Sequence, residues 1–167
     1  YIGTVEDPQS ATQAGKIYEV ASPNFATWAN VSKAGNYSSN NRDKSWCITS
    51  YGELVIATNY SDPVQVKMPG VALFRDLIGF DAAGVAIVGY AAAGGKMPRA
   101  RFAATINAFL CLANIDPASV AGIGTPYAFW CSRFSQPQYF HSLSIEWQSS
   151  IFQLVATPGE ITMLTGG

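Results

Sequence analysis

Charge is scarce in this chain. Of its 167 residues only 13% are Asp, Glu, Lys or Arg, about half the roughly 25% usual in globular domains. Ten basic residues against eleven acidic ones leave a net charge of −1. That shortage excludes a solvated disordered chain, a coiled coil and a basic nucleic-acid module. Histidine occurs once, as His141, so any histidine mechanism has one candidate and a transition-metal site lacks its usual ligands. Cysteine occurs three times, as Cys47, Cys111 and Cys131, with no C-x-x-C spacing. This odd set predicts neither a disulfide framework nor a zinc site. Long apolar runs are missing too. The stretch 71–93 is broken by Arg75, Asp76 and Asp81 and by Gly79, Gly84 and Gly89, where a membrane helix needs about 18 unbroken apolar residues. No membrane insertion is expected. No secretory leader is visible, and a first residue Tyr1 in place of Met suggests a processed product or a trimmed fragment.

What is present is apolar and punctuated. Hydrophobic residues make up 49% of the chain, enough for one domain that buries roughly 70% of its unfolded surface. A dispersed monomer uses charge for solubility, so a charge-poor surface is expected to be covered by neighbours. Residues 1–45 are polar and turn-rich, with Ser22-Pro23-Asn24 and Gly35 to Lys44 as loops and Lys16 to Val20 as a first strand. Ser45 to Ser50 and Glu53 to Thr58 read as strands split by the Tyr51-Gly52 turn. Leu73, Phe74, Leu77 and Ile78 fall at helical spacing, which predicts two helical turns over Val71 to Ile78, stopped by Gly79. Gly84 to Ala92 reads as a buried strand. Arg101 to Leu112 fits two readings: a helix would align Phe102, Ile106, Phe109 and Leu110, while one strand puts Phe102, Ile106 and Leu110 on a shared core face, and the strand is preferred because Thr, Ile, Asn, Phe and Cys are mediocre helix formers. Tyr127 to Phe134, Tyr139 to Trp147, Ile151 to Ala156 and Ile161 to Leu164 complete eight or nine short strands. The expected fold is all-β: an antiparallel β-sandwich of the jelly-roll type with one or two short helices, one domain over 1–167.

Catalytic groups do not assemble in the sequence. Strand alternation sends His141 and Ser142 to opposite faces, so His141 reads as a packed or interface residue. Gly95-Lys96 lacks the remaining positions of a phosphate loop, with Tyr90 and Met97 in the required slots. Asp76, Asp81 and Asp116 have no carboxylate partner at a suggestive spacing, and Glu146 reads as a surface residue of its strand. Lys96, Arg99 and Arg101 are the one local basic cluster, the candidates for weak contacts with RNA or a neighbouring subunit; three charges are fewer than sequence-independent binding uses. No cofactor or metal is implied. Asn30-Val31-Ser32, Asn36-Tyr37-Ser38 and Asn59-Tyr60-Ser61 match the glycosylation acceptor pattern.

The order of these pieces resembles the jelly-roll coat proteins of picorna-like viruses, most of all the small coat protein of comoviruses and their relatives. Leu73-Phe74-Arg75 closes a short helix; Asp81-Ala82-Ala83-Gly84 leads into the strand Val85 to Ala92; Gly94-Gly95-Lys96 turns; Phe102 to Asn114 forms a strand ending in a polar loop; aromatic-rich strands resemble Tyr127 to Phe134 and Tyr139 to Trp147. The likeness spans roughly residues 46–157. It implies a capsid subunit without enzymatic activity, located in the virion, whose partners are other copies and sister coat proteins and, weakly, genomic RNA. Two other classes fit the composition: a secreted β-sandwich that binds carbohydrate or protein, and a small hydrolase built on His141.

Overall fold

The computed structural model describes residues 1–4, 15–20, 26–35, 37–38, 45–77, 79–80, 86–87, 99–116, 118, 128–132 and 151–153. Among them every regular element is a strand, and every strand pairing is antiparallel. Three strands form a first sheet: β1 (Ile2–Gly3), β2 (Ile17–Val20) and β3 (Trp28–Asn30). Four form a second: β4 (Cys47–Tyr51), β5 (Leu54–Thr58), β6 (Gln65–Lys67) and β7 (Arg75–Asp76). A short pair, β8 (Gly79–Phe80) and β9 (Ala86–Ile87), stands apart. The last sheet holds β10 (Ala100–Ile106), β11 (Phe109–Ile115), β12 (Ala128–Cys131) and β13 (Ile151–Gln153). Each described pairing joins strands that follow one another in the chain.

The β4–β7 sheet has a core packed on each face, most completely along β5. Along β5, side chains alternate: Leu54 and Ile56 join a core with Val64, Val66, Ala103, Leu110 and Leu112, while Val55 and Ala57 join a second core with Ile17, Val31, Tyr37 and Phe74. The first core is shared with the β10–β13 sheet and the second with the β1–β3 sheet, giving a layered β-sandwich with a third sheet outside it. The continuous apolar run Leu54-Val55-Ile56-Ala57 reflects this double packing, since each face of β5 has its own core to serve.

Side chains bridge the β4–β5 pair and the β10–β11 hairpin. Thr58 Oγ1 donates to the Ala100 carbonyl at 2.5 Å, Tyr51 OH to the Ala108 carbonyl at 2.5 Å, and Thr105 Oγ1 to the Ser50 carbonyl at 2.5 Å. The Cys47 thiol sits 3.4 Å from both the N–H and the carbonyl oxygen of Ala103. These contacts occupy backbone groups that an unprotected sheet edge would offer to another chain.

Three expectations from sequence are corrected. Residues 71–77 are not helical. Val66 pairs with Arg75 and Gln65 with Asp76, and the backbone N–H groups of Phe74 and Leu77 donate to Val31 and Val64. Phe74 and Leu77 are three apart, which puts them on one helix face but on opposite faces of an extended chain; Phe74 lies in one core and Leu77 in the other. Two cores, rather than one, select the strand.

Arg101 to Leu112 is a hairpin, not one strand. Asn107 (φ 46°) and Ala108 (φ 64°) both take positive φ, the requirement of the two-residue hairpin turn whose twist suits antiparallel strands. Ile106 then pairs with Phe109 and Thr105 with Leu110. Leu110 therefore shares the core face with Ala103, and Phe102 and Ile106 face the other way. Third, Cys111 and Cys131 lie directly opposite each other on β11 and β12 and form a disulfide; adjacency across the sheet supplies what sequence spacing does not reveal. Strands β2, β5, β12 and β13 fall inside expected segments, β9 lies within Gly84 to Ala92, and β4 runs one residue past its expected end at Ser50, taking in Tyr51 of the expected turn. Tyr139 to Trp147 and Ile161 to Leu164 lie outside the described residues.

The two sides of the hairpin should respond differently to truncation. Leu110 is fully buried, so Leu110→Ala should cost about 2–5 kcal/mol through lost burial and a cavity. Phe102 is half-buried on the opposite face, and Phe102→Ala should cost roughly 1 kcal/mol. Urea unfolding of both variants checks the register; equal losses would contradict it.

Candidate functional site

The described residues gather their polar chemistry beside the outer core. Lys33 follows β3 and is fixed at its backbone: the Lys33 N–H donates to the Tyr37 hydroxyl at 3.1 Å. Before it, Asn30 Oδ1 accepts from the Ser32 N–H, and Ser32 Oγ accepts from the Ile17 N–H, both at 3.0 Å. The Lys33 ammonium then reaches Asp76 Oδ1 at 2.9 Å and Asp62 Oδ1 at 3.9 Å, and lies 5.3 Å from the centre of the Tyr37 ring.

Asp62 is 4% exposed, a position a carboxylate holds only with partners. It accepts from the Ser38 N–H at 3.0 Å, from Ser38 Oγ at 3.1 Å and from Asn59 Nδ2 at 3.0 Å. Asn59 Oδ1 in turn accepts from the N–H groups of Ser61 and Asp62 at 3.0 and 2.9 Å, a local Asn turn that presents the carboxylate. On β6, Gln65 Nε2 donates to the Pro63 carbonyl and to Asp76 Oδ1, each at 2.6 Å, while buried Gln65 Oε1 has no partner. Burial pushes the Tyr37 hydroxyl from its ordinary 10.0 up to about 12; the charges of Asp62 and Asp76 add to the rise, and the N–H of Lys33 opposes it. Trp46 packs edge-on against Tyr37 at 4.7 Å between ring centres.

The residues singled out from sequence fall elsewhere. Arg99 pairs with Asp116, whose backbone N–H also donates to the Arg99 carbonyl at 2.9 Å. This pair clamps the open end of the β10–β11 hairpin, and Arg99 Nη1 reaches the Ser61 carbonyl at 3.5 Å. The Arg101 guanidinium lies 5.6 Å from the Phe102 ring centre. Lys96, Asp81, His141 and Glu146 lie outside the described residues. Asp76, read as an isolated acid, is the partner of Lys33. Of the acceptor tripeptides, Asn30 is exposed, Asn59 is fully buried with its amide engaged at both ends, and Asn36 lies outside the described residues.

Sequence reading missed Lys33, Tyr37, Asp62 and Gln65. Two signals were present: Asn59-Tyr60-Ser61-Asp62-Pro63 has the form of an Asn turn, and Pro63-Val64-Gln65-Val66-Lys67 alternates like a strand with one glutamine between valines.

A second feature is apolar. Tyr1, Ile2, Trp28, Val71 and Leu73 are 42%, 49%, 50%, 37% and 41% exposed. Tyr1, Ile2 and Trp28 belong to the outer sheet and its leading residue, Val71 and Leu73 to the segment before β7. The edge contact of Tyr1 with Phe74, at 5.9 Å, joins the two segments.

Removing Asp62 strands three donor groups around a buried position. Asp62→Ala should cost about 2–4 kcal/mol and Asp62→Asn less, since the amide keeps one acceptor; denaturant midpoints of the two variants check the order. Tyr37 should also leave a mark in base. Its folded pKa lies above its unfolded one, so its stabilising contribution is complete below pH 10 and is lost as pH rises toward about 12. The loss amounts to roughly 2–3 kcal/mol, and Tyr37→Phe should remove this component from stability measured across that window.

Comparison with protein-family models, curated proteins and solved structures finds no match to this chain.

Proposed function

We propose that this chain is a coat-protein subunit of an icosahedral picorna-like virus, one jelly-roll domain that tiles a shell with its own copies and sister proteins and encloses the genome in the virion. The observation that carries this reading is the exposed apolar set, Tyr1, Ile2, Trp28, Val71 and Leu73, on a chain with 13% charged residues. Such side chains mark an interaction surface where they form one contiguous patch, and the contact of Tyr1 with Phe74 brings together the two segments that carry them. Antiparallel sheets packed in layers suit a subunit whose task is geometric, because interfaces between such subunits combine apolar area with many weak polar contacts. Arg99 spends its charge on Asp116, so any contact of the Lys96, Arg99 and Arg101 segment with RNA is weak. Among the described residues no helix is long and apolar enough to cross a membrane.

A secreted β-sandwich that binds carbohydrate or protein is the second reading, favoured by the exposed acceptor Asn30; the Cys111–Cys131 disulfide fits it and the coat reading alike. Disulfides persist in oxidising surroundings such as the extracellular space and virion surfaces. Exposed Asn30 would then carry a glycan.

Sedimentation and negative-stain microscopy of native source material separate the two. The coat reading expects this chain in regular closed shells that co-purify with RNA and sister proteins. A monodisperse monomer with a glycan on Asn30, and no shells, would overturn it in favour of the secreted module.

A further inference from the structure

We propose that Lys33 and Asp76 become joined by an intramolecular amide bond, formed by the chain itself with loss of one water. The inference stands on the polar cluster beside β7 and is independent of the coat reading.

The reacting groups are already in contact across 43 residues of sequence. Lys33 Nζ is 2.9 Å from Asp76 Oδ1. A second carboxylate, Asp62, lies 3.9 Å from the same nitrogen and is held by Ser38 and Asn59. Gln65 Nε2 donates to Asp76 Oδ1 at 2.6 Å, the oxygen on which negative charge develops when Nζ attacks the carboxyl carbon. Tyr37, Asp62 and Gln65 are 4%, 4% and 0% exposed, so the cluster is walled on their sides. The Asp76 side chain keeps 43% exposure, an exit for the released water. Holding amine and carboxyl together lowers the entropic part of the barrier, by an effective molarity that reaches about 10⁵–10⁸ M where the reacting atoms are well aligned.

The step balances without a co-reactant. Asp62 takes one proton from the Lys33 ammonium and passes it to the Asp76 carboxylate. The freed Nζ lone pair attacks Cγ of Asp76, forming the N–C bond and placing charge on Oδ1 against the Gln65 amide. Asp62 then moves a proton from the nitrogen to Oδ2, the C–Oδ2 bond breaks, and Oδ2 leaves as water. An ammonium and a carboxylate have become an amide and water, and Asp62 is returned as it began. Asp62 and Gln65 are the catalytic residues of this step. The bond would tie the segment after β3 to β7, locking the outer sheet onto the middle one.

Intact mass spectrometry of the reduced, full-length chain tests this directly. The expected mass is that of the sequence less one water, with a branched tryptic peptide that links Lys33 to Asp76 and no cleavage after Lys33. Lys33→Arg keeps the ion pair but offers no amine, and should show the full mass. Asp62→Asn keeps an acceptor but no proton relay, and should slow the appearance of the branched peptide at least tenfold. A wild-type chain that stays at the full sequence mass after prolonged incubation, or a water loss mapped to another residue, would overturn the proposal.

Discussion

Everything in this fold hangs on a strand, β5, whose side chains serve a core on each face of its sheet. Because β5 is covered on both sides, its residues cannot follow the usual apolar-in, polar-out alternation, and each successive side chain serves a different core. The two cores set the conformation of their neighbours. Phe74 and Leu77 are drawn to opposite faces of the β4–β7 sheet, and that pull overrides the helical spacing of the Val71 to Ile78 segment. Val31 does the same work on the outer side, accepting from Phe74 while donating to Ile17.

Double burial also creates an electrostatic problem. Gln65 and Asp76 are paired across β6 and β7, so their side chains share the face turned toward the outer sheet. A bare Gln65 amide buried there would be costly, and the half-exposed Asp76 carboxylate that satisfies it brings a charge to the same face. Lys33 is the answer: it enters from the end of β3, and Asp62 comes up from the Asn59 turn to balance it. The polar cluster is therefore the price of placing a third sheet against β6 and β7, and it fixes where that sheet sits. The Arg99–Asp116 pair plays a simpler part, holding together the end of the β10–β11 hairpin farthest from its turn.

The cores and the cluster leave the outer surface of the β1–β3 sheet and the segment before β7 with apolar groups turned to water. A chain so poor in charge has little with which to replace them. The same composition that allows a sheet to be buried twice also leaves a surface that gains from being covered, and this links the architecture to the assembly role proposed above.

Local sequence determined the strands that begin and end on strong signals. Lys16 to Val20, the pair around Tyr51-Gly52, and the segments containing β12 and β13 carry apolar or β-branched runs bounded by turn residues, and such signals act within a few residues. The all-β class follows from the same information, as does the scarcity of charge and all it excludes. What only tertiary structure decided involves partners far apart in the chain. Whether Arg101 to Leu112 runs straight or turns at Asn107-Ala108 depends on which face Leu110 can bury. The Cys111–Cys131 bond depends on the register of β11 against β12. Lys33, Asp62 and Asp76 acquire a common chemistry only because three segments meet at one edge of the second core. Spacing along a chain encodes periodicity; it does not encode which two faces of different sheets will exclude water together.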